Sequence, residues 1–182
     1  MSNTLDQYQS ELELCKEIFL KKASDYGTSW RVLRPVSILD QLFIKAQRIR
    51  TIQEKKQQKV AEDIGGEFRA IVNYALIGLI QLDNPDGAEE WALEKVNRLY
   101  EEKASLAKNT MVAKNHDYGE AWRSMSQESF VDLILMKLMR MRQIIANDGK
   151  TIISEGIDSN YIDIINYALF ALILIREGQH AG

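Results

Sequence analysis

Apolar residues recur every three or four positions through Leu5, Tyr8, Leu12, Cys15 and Phe19, and this stripe predicts a helix over residues 4–23. Glu11, Glu13, Lys16 and Lys21 fall mostly off the stripe, and Ser24-Asp25-Tyr26-Gly27 stops the helix. A second helix is expected from Ser37, with Asp40 three residues on in the manner of a capping box. Leu39, Leu42, Phe43, Ala46, Ile49 and Ile52 carry it to about Lys56. Basic residues (Lys45, Arg48, Arg50, Lys55, Lys56, Lys59) load its C-terminal half, where they favour the negative end of the helix dipole. A third helix is expected over 67–82, after Gly65-Gly66, and Asn84-Pro85-Asp86-Gly87 reads as a strong turn. Three more helices follow, over 88–114, from Ser129 to about Ala146, and over 159–176; His116-Asp117-Tyr118-Gly119 ends the first and Asn147-Asp148-Gly149 the second. Thr151-Ile152-Ile153 is the one strand-like run and is too short to count.

The two sets of three helices are copies. Asp25-Tyr26-Gly27-Thr28-Ser29-Trp30-Arg31 returns 92 residues later as Asp117-Tyr118-Gly119-Glu120-Ala121-Trp122-Arg123. The same offset pairs Ser37, Asp40, Lys45, Arg48 and Arg50 with Ser129, Asp132, Lys137, Arg140 and Arg142. At an offset of 93, Glu62 pairs with Glu155, and Asn73-Tyr74-Ala75-Leu76 with Asn166-Tyr167-Ala168-Leu169. Half of a 182-residue chain is marginal alone, so the copies are expected to share a core. The fold class is therefore all-α: a six-helix bundle of two tandem three-helix repeats, residues 1–83 and 88–182, with pseudo-two-fold symmetry, packed as one domain.

Composition narrows the classes. With 46% apolar residues and two prolines the chain reads as compact and helical. A net charge of −3 argues against a broad surface for duplex nucleic acid. Cys15 stands alone, which excludes an intramolecular disulfide and suits a reducing, cytoplasmic setting, and the polar N-terminus does not read as a signal peptide. The longest apolar run, Ile164 to Ile175 interrupted by Asn166, is too short to span a bilayer, so no membrane is expected.

Two places carry candidate chemistry. The last helix is apolar on all sides apart from Asp163 and Asn166, so it is expected to be surrounded by protein, with those two groups facing partners. Lys137 and Arg140, one turn apart on the preceding helix, would supply them. One reading is a buried network that sets helix register. The other has Asp163, helped by Glu155 or Asp158, holding a divalent cation while Lys137 and Arg140 hold phosphate oxygens. The first copy keeps Lys45, Arg48 and Asn73 but has Ala70 where the second has Asp163. The second place is the repeated loop. Tyr26 and Trp30, or Tyr118 and Trp122, beside Asp25 and Arg31, or Asp117 and Arg123, either cover the end of the core or stack on a base and bind its edge or phosphates. For Asp40 and Asp132 capping explains more than metal binding does.

The repeated Asp-Tyr-Gly-x-x-Trp, the Lys-x-x-Arg helix and the closing Asp-x-x-Asn-Tyr-Ala helix resemble the family called nucleotide modification associated domain 1, over about residues 20–82 and 112–176. The resemblance implies an all-helical domain with a role near modified nucleotides. A more distant similarity is to the all-helical nucleoside triphosphate pyrophosphohydrolases of the MazG and dimeric dUTPase type. Those coordinate magnesium through Glu-x-x-Glu and Glu-x-x-Asp helices, and this chain has no Glu-x-x-Glu. The expectation is a protein that binds a nucleotide or nucleotide-like phosphate, any turnover being phosphoanhydride hydrolysis assisted by Mg²⁺ or Mn²⁺. The alternative is a non-catalytic interaction module whose last helix packs in the core or against a second subunit of a homo-oligomer.

Overall fold

The computed structural model describes residues 2–56 and 63–182; Lys59 and Glu62 lie outside them. Among the described residues there are six α-helices and no strand: α1 (Ser2–Tyr26), α2 (Pro35–Lys55), α3 (Ile64–Asp83), α4 (Leu93–Tyr118), α5 (Gln127–Ala146) and α6 (Ile157–Arg176). Short 3-10 turns, Ser29–Val32 and Ala121–Ser124, join α1 to α2 and α4 to α5. Three helices fall in each repeat, as the duplication requires.

The helices stack in three layers. α3 and α6 form the middle pair, with the most extensive contact in the molecule; α2 and α5 cover one side and α1 and α4 the other. This is why α3 and α6 are apolar nearly all round while the outer four carry a single apolar stripe. By length and composition alone α6 could cross a membrane, but 78% of its apolar stretch is buried inside the bundle. Gly78 lets the middle pair close up, because a side chain there would run into the Tyr161 ring. One continuous core contains Tyr8, Phe68, Tyr100, Phe130 and Tyr161 from both repeats.

Several boundaries differ from those the pattern predicts. α1 and α4 each run through the Asp-Tyr of the repeated segment, and Gly27 (φ +67°) and Gly119 (φ +64°) make the turn that follows. α3 starts earlier than residue 67: Asp63 caps it by accepting from the Gly66 N–H, so both glycines lie in the first turn. α4 starts later than residue 88, because the preceding residues cross over the first repeat's loop. The capping assignments at Ser37–Asp40 and Ser129–Asp132 are corrected. α2 opens with Pro35 at its first position and no side-chain cap, and Ser126 caps α5 by accepting from the Ser129 N–H. Asp40 pairs with Arg142 at 3.0 Å and Asp132 with Arg50 at 3.3 Å. These matched residues make two symmetric bridges between the repeats. They are partly exposed, so they set register more than they add stability.

Candidate functional site

The repeated asparagines lie on the middle helices and are satisfied from α1 and α4. Asn73 donates to the Cys15 carbonyl of α1 (3.0 Å) and accepts from the Tyr100 hydroxyl of α4 (2.8 Å). Asn166 donates to the Ala107 carbonyl of α4 (3.1 Å) and accepts from the Tyr8 hydroxyl of α1 (2.7 Å). Tyr8 and Tyr100 are themselves 92 residues apart, as are Cys15 and Ala107. Each amide thus joins α1 to α4 through the middle layer, with both its polar atoms used. The expected meeting of Asn166 with Lys137 and Arg140 is corrected: those residues lie on the other side of α6.

Asp163 does meet Lys137, at 2.8 Å, but its second cation is Lys114 of α4 at 2.7 Å; Arg140 is exposed and, with Lys137 and Glu155, lines an open hollow of about 1080 Å³. Asp163 is 6% exposed, and each of its oxygens faces one ammonium. Burial would lower the pKa of Lys114, but the hydrogen bond and charge of Asp163 outweigh it and hold the ammonium above its ordinary value. Glu155 and Asp158 are exposed, and among the described residues no group of three His, Cys, Asp or Glu side chains gathers in a way that could hold a metal. The Asp163–Glu155–Asp158 set does not fit a divalent cation, since two lysines already occupy its buried member.

The first repeat has its own buried carboxylate, which the sequence pattern did not single out. Glu67, 2% exposed, pairs with Arg48 at 2.7 Å and has Lys45 at 3.8 Å. It stands one turn before Ala70, the counterpart of Asp163, and its own counterpart is Asn160. Each Lys-x-x-Arg helix therefore faces an acid on the closing helix of its own repeat, displaced by a turn between the two.

The repeated loops also part company. Arg31 is buried and bonds to Gln81 and to the carbonyls of Asn84 (2.9 Å) and Asp86 (3.1 Å), so it ties the loop to the linker. Trp91 of that linker meets Trp30 edge-on at 6.0 Å, with the Arg31 guanidinium 3.8 Å over its ring. Gly27 lacks the side chain that would collide with Glu90. Arg123 ties the second loop to the chain ends instead, through Gln7 (2.7 Å), Thr4 (2.8 Å) and Glu177 (3.0 Å). Both arginines are committed to internal contacts. Asp25, Asp117 and Tyr118 are exposed, and among the described residues Asp117 pairs only with His116, at 3.1 Å.

Tyr26 and Trp30 border a cleft of about 370 Å³ between α1, the loop, α2 and α3. Phe19 and Tyr74 complete an aromatic wall; Lys22, Arg69 and Gln41 supply the polar side. Among the described residues these three side chains have no hydrogen bond or ion pair. The cleft is open because α3 offers Gly66, Ala70 and Ile77, where α6 has Ser159, Asp163 and Phe170. In the second repeat Trp122 is buried and stacks on Phe170 with centroids 4.2 Å apart and planes 5° from parallel. Gln41 is replaced there by Leu133 and Arg69 by Ile162, and Lys114, the counterpart of Lys22, is used by Asp163.

Neither a curated protein nor a solved structure matches the chain. The resemblance to the pyrophosphohydrolases thus gains nothing from comparison. The family model described as nucleotide modification associated domain 1 matches twice, over residues 22–82 and 114–175, one match on each repeat. The two matches begin at Lys22 and Lys114, take in both loops and both closing helices, and together cover more than half the chain. The chain belongs to the nucleotide modification associated domain 1 family.

Proposed function

We propose that the first repeat's cleft binds a nucleotide-like ligand, with the base against Trp30 and Tyr74 and its phosphate toward Lys22 and Arg69. The observation that carries this reading is a set of polar side chains, without hydrogen-bond or ion-pair partners among the described residues, on the open side of an aromatic wall, at positions that the second repeat fills. Aromatic faces stack on any base, and two cations suit phosphate oxygens. A cleft of about 370 Å³ is within the usual range for small-molecule sites. The family description points the same way without naming a reaction. The reading is one of binding. Of the cations that the sequence marks for phosphate, Lys137, Lys45 and Arg48 are engaged with buried carboxylates.

Ile77→Phe tests the reading. It copies Phe170 into the first repeat and sets a ring against Trp30, closing the cleft. A ligand at a hundredfold excess over its Kd stabilises a protein by about 2.7 kcal/mol, a rise of several degrees in Tm at this size. The wild type should show such a rise with at least one nucleotide, and folded Ile77→Phe should show none. If no nucleotide shifts the wild type, the second reading stands, that of a helical interaction module. That reading is favoured by the internal use of both repeated asparagines and both repeated loop arginines.

A further inference from the structure

We infer that the ligand of this cleft carries a single phosphate and binds without a divalent cation; this rests on the cleft being the binding site. Among the described residues lining it, Lys22 and Arg69 are cationic and none is Asp or Glu. Two positive charges balance one phosphate monoester, which carries about −1.5 to −2 at neutral pH. A triphosphate carries roughly twice that, and proteins that hold one usually recruit Mg²⁺ through one or two carboxylates. Among the described residues lining this cleft there is none, although Glu90 stands against Gly27 and Asp63 caps α3 at Gly66. The buried acids of the closing helices are not in reserve, since Asp163 lies between two lysines and Glu67 faces Arg48 and Lys45.

Size points to the same ligand. About 370 Å³ is near the lower end of ordinary ligand sites, room for a base and sugar with the phosphate at the mouth. The Gln41 amide presents both a donor and an acceptor to a base edge. Burial, with a smaller contribution from Tyr26, raises the Tyr74 hydroxyl above its ordinary pKa.

Calorimetric titration of the full chain tests the inference with the four deoxynucleoside 5′-monophosphates, the matching nucleosides, and the triphosphates with and without Mg²⁺. At least one monophosphate should bind in EDTA, roughly tenfold or more tighter than its nucleoside. Lys22→Met and Arg69→Met should each weaken the monophosphate by about tenfold and leave the nucleoside unchanged, with melting curves confirming that both variants fold. Triphosphate binding that needs Mg²⁺ and exceeds that of the monophosphate would overturn the inference while leaving the cleft a nucleotide site. A nucleoside that binds as tightly as its monophosphate would remove the phosphate contact. Silence from every probe would overturn both this inference and the proposed function.

Discussion

In the first repeat Trp30 borders an open cleft; in the second its counterpart Trp122 lies flat on Phe170. The backbone around the two tryptophans is the same, a 3-10 turn after a left-handed glycine. The difference comes from the opposite wall, where Ile77 has become Phe170 and Ala70 has become Asp163. The cations differ in the same sense, since Lys114 bonds to Asp163 and Lys22 has no partner among the described residues. Residues that tie the repeats together, Asn73 with Asn166 and Asp40 with Asp132, do the same work in both. Both repeats keep the ties; beside the loop tryptophan the first repeat is open and the second filled, and the second repeat's own hollow lies elsewhere, around Lys137, Arg140 and Glu155. The second repeat is best understood as the partner that completes the first repeat's core.

The largest effect that separates the repeats should come from their buried acids. Asp163→Ala leaves Lys137, whose side chain is 11% exposed, without a counter-charge in the bundle, and should cost about 3–5 kcal/mol. Glu67→Ala leaves Lys45 and Arg48, at 27% and 23%, closer to water, and should cost less. Urea denaturation of both variants checks the order. Equal losses would mean that the displaced acids are energetically equivalent and that the second repeat is no more sealed than the first.

A middle-sized effect is expected where the repeats match in position and differ in sign. Glu11 on α1 pairs with Arg176 on α6, and Lys103 on α4 pairs with Asp83 on α3. Glu11 corresponds to Lys103 and Asp83 to Arg176, so the two bridges are pseudo-symmetric with their charges exchanged. Two first repeats joined in this way would set Glu11 against Asp83, and two second repeats Lys103 against Arg176. The charges therefore favour pairing of unlike repeats. Glu11 is 1% exposed, so Glu11→Lys should destabilise by about 2–3 kcal/mol, and adding Arg176→Glu should recover much of that. Lys103→Glu with Asp83→Arg should behave alike. Failure of both double variants to recover stability would show that these charges do not select the pairing.

The fold is legible because periodicity and duplication agree: each helix recurs 92 or 93 residues on, and four striped helices with two that are apolar nearly all round make a bundle. Boundaries were less so, because Gly65-Gly66 argues against helix by propensity while the Asp63 cap overrides it. Repetition marks both loops as candidates, but the sequence pattern alone does not say which one borders open space. That depends on residues one helix away, and aligning Ile77 with Phe170 and Ala70 with Asp163 was the available signal. Tyr8 and Tyr100 were readable only as stripe residues, although their matched spacing marked them as partners for the matched asparagines. Glu11 looked solvent-facing from its place off the stripe and is buried, because α1 is covered from two directions by α4 and α6. Glu67 has Asn160 as its counterpart, so no repeated acid marks it in the sequence.

The smallest expected effect concerns acid. The second loop is tied by a carboxylate, Glu120, which pairs with Arg123 at 2.7 Å and accepts from the Thr4 hydroxyl. Its counterpart in the first loop is Thr28, a buried neutral residue that accepts from the Trp91 N–H at 3.0 Å. The Thr4 hydrogen bond, and after it the hydrogen bond and charge of Arg123, outweigh burial and hold the Glu120 carboxyl below its ordinary value of 4.5. A depressed folded-state pKa gives stability that is fully present above 4.5 and is lost as pH falls through the lower folded value. Wild type should therefore be more stable than Glu120→Gln near neutrality, with the gap narrowing in the acid range. Thr28→Val should show a gap that does not change with pH, since no proton is taken up at that tie. Thermal melts of the three proteins between neutral pH and mild acid read both slopes. A Thr28→Val gap that narrows in step with the Glu120→Gln gap would place the acid sensitivity outside the second loop.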